Sequence, residues 1–346
     1  MKAIVIKSYG GPEVLEETDV PAPTLDPASK TDAESVIVDI LAAGVNPVDY
    51  KVGRGDLASL LSLKFPSILG IDYAGTVAAV GSNVVGFSVG DAVYGKLAGI
   101  NGHGTYAAQT KVHTKTDVIL HRPASLSVEQ AAGVGVVALT AYVGLVTYAG
   151  LSLTVADNAA KHVLVIGASG GVGTWAVKIA KLLGAKVTAV ASGKNKSFVL
   201  DNLKADAFID YTVAPLAEQL KTKDEFDVIY DAIGGDEGKN WDLAQLILNP
   251  HGLFVSPAAH LPEDTPVSLG AVAGFVGTMA WRAITNSRRY RYISSLPVDQ
   301  FENIGKWLKD GKIVPYTSVV LPLSDVKKAH ELSKAGRTVG KIVLTL

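Results

Sequence analysis

Up to about residue 128 the apolar positions come in short alternations broken by Gly, Pro and Asp, as at 2–7, 35–41, 75–80, 91–94 and 105–112. A period of two over a few residues predicts half-buried strands. Their close spacing between turns predicts a compact, partly barrel-like β domain. From 125 to 150 the period lengthens to that of a helix, with Ser127 placed to cap it and Glu129 in its first turn. From His162 the pattern changes again. An apolar β-branched run to residue 166, a glycine-rich turn at 167–173, a helical stretch to Gly184 and a second apolar run at 186–191 make a strand-turn-helix-strand unit. Further runs at 207–210, 227–231 and 253–256 extend it into an α/β, doubly wound parallel sheet. Residues 266–285 are apolar and glycine-rich, which predicts a covering or interface segment. The last stretch, 298–346, reads as a helix ending near Gly311, a strand at 318–321, a helix from Ser324 and a closing strand at 341–344, packed back on the first domain.

The turn Gly167-Ala-Ser-Gly-Gly-Val-Gly173 differs from G-x-G-x-x-G at its first position, where Ala168 stands. A dinucleotide needs backbone close to its pyrophosphate and a helix start that offers N–H groups. Ser169, Gly170, Gly171, Val172 and Gly173 are the expected contacts, Gly173 also letting the helix lie tight on the strand. A structural turn is the alternative use of such glycines. An NAD enzyme of this fold places Asp or Glu about 20 residues further on to hold the ribose 2′-hydroxyl. Here Ser192-Gly-Lys-Asn-Lys196 stands instead, with two lysines and no carboxylate. Ser192, Lys194 and Lys196 therefore suit a 2′-phosphate and point to NADPH, a solvated basic loop being the other reading. Tyr211 offers the adenosine end a hydroxyl or a ring face. Asp231-Ala-Ile-Gly-Gly235 ends a strand at the sheet's carboxyl edge, so Ala232 and Ile233 are expected along the cofactor.

The length, 346 residues, suits about two domains. With 32 basic and 33 acidic residues the net charge is −1, which argues against a nucleic-acid partner. No apolar run reaches the roughly 18 residues of a membrane span. Residues 269–279 are the one tract that suits peripheral membrane contact, with core, lid or dimer packing as its other uses. The chain opens directly on a strand pattern, so a cytoplasmic location is expected. It has no cysteine, which removes disulfides, thiolate nucleophiles and cysteine-ligated zinc together.

The segments Gly10-Gly-Pro-Glu-Val-Leu15, Val45-Asn-Pro-Val-Asp-Tyr-Lys51, Gly81-Ser-Asn-Val84, Val89-Gly-Asp-Ala-Val93, Ala138-Leu-Thr-Ala-Tyr142, the glycine turn and Gly340-Lys-Ile-Val343 resemble the medium-chain dehydrogenase/reductase superfamily, on its zinc-free quinone oxidoreductase and enone reductase side. The likeness covers nearly the whole chain. It implies a GroES-like β-barrel catalytic domain over 1–130, a Rossmann NADPH-binding domain over 131–290 and a C-terminal return to the catalytic part over 291–346, with the nicotinamide in the cleft between domains. It also implies that Thr140 meets the cofactor near the nicotinamide and that Lys341 reaches it from the closing strand, an ordinary surface lysine being equally consistent. The resemblance further implies a homodimer or a monomer.

Zinc members of the superfamily carry a cysteine in the first loop and Gly-His-Glu in the second. Here there is no cysteine, Gly70-Ile-Asp72 stands in the second loop, and His103, His113 and His121 lack metal-ligand spacing. Hydride arriving at an enone, enal or quinone leaves negative charge on a carbonyl oxygen, which a polar donor stabilises. Asn46, Tyr50 and Lys51 are the candidate catalytic residues. Asn46-Pro47 is also a common turn opener, Asp49 a helix cap and Tyr50 a packing residue. The expected function is metal-free, NADPH-dependent reduction of a small hydrophobic enone or quinone. A catalytically weak NADPH-binding sensor or scaffold is the alternative.

Overall fold

The computed structural model describes residues 1–100, 103–234, 238–257, 268–285 and 288–346. It divides into two units, Met1–Val136 with Pro297–Leu346, and Val137–Leu296. In chain order the first unit supplies β1 (Lys2–Ile6), β2 (Glu16–Asp19), β3 (Ser35–Val45), β4 (Ser67–Ile68), β5 (Asp72–Val80), β6 (Ala92–Lys96), β7 (Gln109–His113) and β8 (Val118–His121). The second supplies β9 (His162–Ile166), β10 (Lys186–Ala191), β11 (Ala207–Asp210), β12 (Phe226–Asp231), β13 (Leu248–Ser256) and β14 (Arg289–Tyr292). The chain then returns to the first unit with β15 (Thr317–Pro322) and β16 (Lys341–Thr345).

In the first unit the main sheet runs β15-β16-β3-β5-β6-β8, with β7 also on β3, and a small sheet runs β2-β1-β4. β3 is the spine. Only Asp39 and Leu41 of its residues are exposed, because it is paired along both edges and bent by register shifts at 37/38 and 40/42. At the second shift Ile40 faces Gly75, where a Cβ would come within 1.9 Å of the Asp39 carbonyl oxygen, so the bulge closes only on a glycine. The same register brings three strand ends together, with Gly44 of β3 opposite Asp72 of β5 and Val45 opposite Ile342 of β16. Ile4, Ile6, Val36, Val38, Tyr73, Val93, Tyr106 and Val326 fill the core behind them.

In the second unit every strand pair is parallel and the order is β11-β10-β9-β12-β13-β14. Counted within the unit this is 3-2-1-4-5-6, the doubly wound order, and it reverses direction between β9 and β12. β9 is buried throughout, which is why its sequence runs apolar without alternation. Trp241, Phe254 and Tyr290 lock one side of this sheet, with Trp241 edge-on to Phe254 at 5.5 Å between ring centres.

Ser127 caps the helix Val128–Ala132 as expected, through a reciprocal box in which the Gln130 N–H donates to its hydroxyl at 3.2 Å and its own N–H donates to the Gln130 side chain at 3.1 Å. The helical stretch that follows is α over Gly135–Tyr142 and widens to a π-helix over Val143–Tyr148. Leu269–Thr285 is a helix with Val276 and Trp281 exposed, while Pro266 and Val267 lie outside the described residues. No helix among the described residues is long and apolar enough to cross a membrane.

Candidate active site and dinucleotide cradle

In the second unit β9 ends at Ile166 and the chain turns through Gly167 at φ +78°. That left-handed turn is made one residue earlier than the usual fingerprint has its first glycine, which is why Ala168 is tolerated and fully buried. A Cβ on Gly173 would lie 2.1 Å from the Gly167 carbonyl oxygen, so the helix Gly171–Leu182 seats directly on the turn. A Cβ on Gly170 would meet only that carbonyl, at 3.4 Å. Gly170 is the N-cap and brings no capping side chain, leaving the N–H groups of Gly171, Val172 and Gly173 without intrahelical partners. An open backbone cradle at a helix start fits a dinucleotide phosphate.

The loop after β10 is tied to this cradle by Asn195, whose amide donates to the hydroxyls of Ser169 at 3.0 Å and Ser192 at 3.2 Å. Asn195 was not singled out by sequence, since a loop amide has no pattern of its own. Lys194 and Lys196 are exposed and make no ion pair among the described residues. The loop itself carries no carboxylate, but one reaches it from the neighbouring strand. Asp210, at the end of β11, reaches the loop, and a Cβ on Gly193 would lie 2.1 Å from its Oδ2. The Thr212 hydroxyl at 2.6 Å, the Thr212 N–H at 2.9 Å and the Gly193 N–H hold the Asp210 carboxyl below the usual range, so its acceptors are already engaged. Tyr211 beside it is exposed. Thr140 is buried, and its carbonyl accepts the Tyr230 hydroxyl at 3.0 Å. The Ala232 N–H donates to Ile166 O at 3.1 Å, and Ile233 lies over Gly167. Gly235 falls outside the described residues.

In the first unit the ends of β3, β5 and β16 build a buried polar cluster. Asn46, Asp72 and Lys341 are 1%, 0% and 5% exposed. The Asn46 Nδ2 donates to Asp72 Oδ2 at 2.9 Å, and Lys341 Nζ donates both to Asn46 Oδ1 and, at 3.2 Å, to Asp72 Oδ2. An ammonium can only donate and a carboxylate can only accept, so these partners dictate which end of the amide is oxygen. The other Asp72 oxygen accepts the Val136 N–H at 2.8 Å. Asp49 closes the start of the helix Pro47–Arg54, where its Oδ2 accepts the Asn46 N–H at 2.7 Å and the Tyr106 hydroxyl at 2.8 Å while its Oδ1 has no partner. Burial pushes the Asp49 carboxyl up to about 7, against the pull of those donors and of Lys341. Burial likewise raises the Tyr106 hydroxyl, and lowers the ammonium of the neighbouring Lys96.

Two family profiles match the chain, one described as "Alcohol dehydrogenase GroES-like domain" over residues 32–145 and one as "Zinc-binding dehydrogenase" over 203–344. The chloroplast envelope quinone oxidoreductase homolog of Arabidopsis thaliana is 33% identical, over 99% of this chain and 98% of its own. This chain belongs to the medium-chain dehydrogenase/reductase superfamily. The 2-methylene-furan-3-one reductase of Solanum lycopersicum is 31% identical over 99% of this chain and 79% of its own. Among solved structures, that of Escherichia coli quinone oxidoreductase complexed with NADPH superposes with a TM-score of 0.77 at 25% identity, all of both chains being covered. As a member of the superfamily the protein is an oxidoreductase that uses a nicotinamide cofactor.

For zinc, the superfamily's other catalytic device, the donor set here does not fit. Where zinc members present cysteine and histidine, this member presents an amide, Ile71 and Asp72, and the Lys341 ammonium already lies against both Asn46 and Asp72. No group of three or more His, Asp or Glu among the described residues is arranged to hold a metal. His113 faces Glu34 at 3.6 Å and His121 stacks on Phe87.

Of the three loop residues expected at the reacting centre, the structure brings Asn46 into the cluster and places Tyr50 elsewhere. The Tyr50 ring lies under the Arg54 guanidinium at 5.5 Å and lines a cavity of about 280 Å³ with Ile6, Pro12, Leu15 and His330, whose lining includes none of Asn46, Asp72 or Lys341. Lys51 is half-buried, its carbonyl accepting the Asp56 N–H at 3.0 Å. Lys341 is a buried partner of Asn46, so the surface-lysine reading is set aside. Asp72, Asp49 as a buried acid and Tyr106 were missed as cluster members. The Asp72 signal was present, because an acid opens an otherwise apolar strand exactly where the superfamily changes its metal ligand.

Proposed function

We propose that this oxidoreductase is an NADPH-dependent reductase of α,β-unsaturated ketones, aldehydes or quinones that acts without a metal ion. The observation that carries the reading is the Asn46 amide, buried and held in one orientation by Lys341 and Asp72. A preorganised donor of this kind stabilises charge as it develops, and it does not titrate. Bound NADPH supplies the hydride. The residues that would hold its phosphates are the cradle from Ser169 to Gly173 together with Lys194 and Lys196, with Thr140, Ser192, Tyr211, Ala232 and Ile233 along the rest of the molecule. The names of the Arabidopsis and tomato relatives support quinones and enones as acceptor classes, and the Escherichia coli complex supports NADPH.

The test mixes purified protein with NADPH or NADH and a panel of enones, enals and quinones, following cofactor absorbance, beside elemental analysis for zinc. The expected result is turnover with NADPH well ahead of NADH and no stoichiometric zinc. NADPH binding without turnover on any acceptor would favour the sensor or scaffold reading. Stoichiometric zinc whose removal abolishes turnover would overturn the metal-free mechanism.

A further inference from the structure

We propose that Lys341 is a catalytic residue whose ammonium joins the Asn46 amide as the pair of donors that receives the acceptor's carbonyl oxygen. The inference rests on the reductase reading above and adds to it the source of positive charge. An ammonium carries three N–H groups, of which Lys341 commits two, to Asn46 Oδ1 and Asp72 Oδ2. The third has no protein partner among the described residues. The Asn46 amide carries two and commits one, to Asp72. Two donors are therefore unspent on side chains that are almost wholly withdrawn from water, where an unmade hydrogen bond is costly.

The rest of the cluster explains why the pair stays in place. Asp72 balances the ammonium and is itself held by three donors, from Asn46, Lys341 and the Val136 backbone. A Cβ on Gly135 would lie 2.3 Å from Asp72 Oδ1, and one on Gly44 would lie 2.9 Å from Asp72 Cβ, so both neighbouring positions give the carboxylate room to sit. The register that sets Ile342 opposite Val45 carries Lys341 alongside Asn46.

In enone reduction a bound reduced nicotinamide would supply a hydride, leaving it oxidised, and the hydride would form a C–H bond at the β-carbon. The alkene pair shifts toward the carbonyl, leaving an enolate oxygen against Lys341 and Asn46. Lys341 keeps its protons throughout. A proton from water then forms the α C–H bond, leaving hydroxide to the solvent, and the electron pair returns from oxygen to restore the carbonyl.

The experiment compares the wild type with Lys341→Met and with Lys341→Met/Asp72→Asn, the second leaving no lone charge buried should the first unfold. Thermal unfolding reports the fold and steady-state kinetics with NADPH report kcat. The absorbance of 4-nitrophenol titrated on the cofactor-free protein reports how strongly the site favours an oxyanion. Expected are a fall in kcat of about 100-fold or more, and a nitrophenol pKa lowered by about one unit on the wild type but not on the variants. A folded variant within about tenfold of wild-type kcat, or a nitrophenol titration that does not depend on Lys341, overturns the assignment and leaves the reductase reading standing. A wild type that turns over no acceptor overturns that reading itself.

Discussion

Asn46 uses its backbone and side chain for different ends. Its N–H is taken by Asp49 at the helix start, and its amide is clamped between Lys341 and Asp72. The turn-opening role that the sequence offered falls to the backbone, which leaves the side chain free for the buried cluster on which the proposed function rests. Asn46→Ala keeps the Lys341–Asp72 pair and removes only the amide. It is expected to lower kcat by about 100-fold, the usual cost of one oxyanion donor, with NADPH affinity unchanged by fluorescence titration. Asp49 gives a separate, pH-dependent test. Its folded carboxyl titrates near 7 against an ordinary value of 3.8, so between those pH values the folded chain holds a proton that the unfolded chain has lost. Its stabilising contribution is complete below about pH 4 and fades as the pH rises through 7. Asp49→Asn cannot ionise, and its advantage over wild type in urea unfolding should grow from pH 5 to pH 8 by roughly 3 kcal/mol. A difference that stays flat with pH would show that the buried carboxyl is not protonated.

At the scale of elements, the strands were legible wherever the pattern was local. The β9-turn-helix-β10 unit, the capped helix after Ser127 and the closing strand follow from periods of two and 3.6 with glycine and serine at the right offsets. The cluster was less legible because it is a product of register. Asn46 meets Asp72 across 26 positions of sequence and Lys341 across 295, and no short-range pattern encodes such pairings. Tyr50 illustrates the converse. It lies one helical turn from Asn46 in sequence, yet it serves the cavity beside His330. The bulge between β3 and β5 is the element on which the register depends. Gly75→Ala would set a Cβ 1.9 Å from the Asp39 carbonyl oxygen, which the paired backbones must move to relieve. Stability should fall by about 2–4 kcal/mol, and kcat should fall with it as Asp72 and Asn46 shift apart. Gly86→Ala is the control. Its φ of +88° strains an alanine but the space at its Cβ is open, so it should cost only about 1–2 kcal/mol and leave kcat alone.

For the molecule as a whole, the chain builds most of the first unit, then the second, and returns with β15 and β16 to finish the first. A fragment ending at Val136 would therefore lack Lys341 and leave residues 42–45 of β3 unpaired on the edge that β16 covers, and it is expected to aggregate on expression. The buried polar cluster lies in one unit and the glycine cradle in the other, so substitutions aimed at the coenzyme leave the cluster untouched. The sequence pointed to a 2′-phosphate on the strength of two lysines and an absent carboxylate. The fold adds Asp210 to that neighbourhood, but with its oxygens turned to Thr212 and Gly193. A carboxylate so engaged is a poor partner for a ribose hydroxyl, which supports the proposed use of NADPH. Lys194→Ser/Lys196→Ser should then weaken NADPH by about tenfold, since exposed charge contacts contribute roughly 1 kcal/mol or less each, while NADH changes little. In thermal unfolding at about 100 times Kd the wild type should gain roughly 2.7 kcal/mol from NADPH, and at the same concentration the variant should gain about half as much. Equal losses for both coenzymes would mean that the lysines act on the shared pyrophosphate, and an unchanged NADPH affinity would mean that they do not reach the 2′-phosphate.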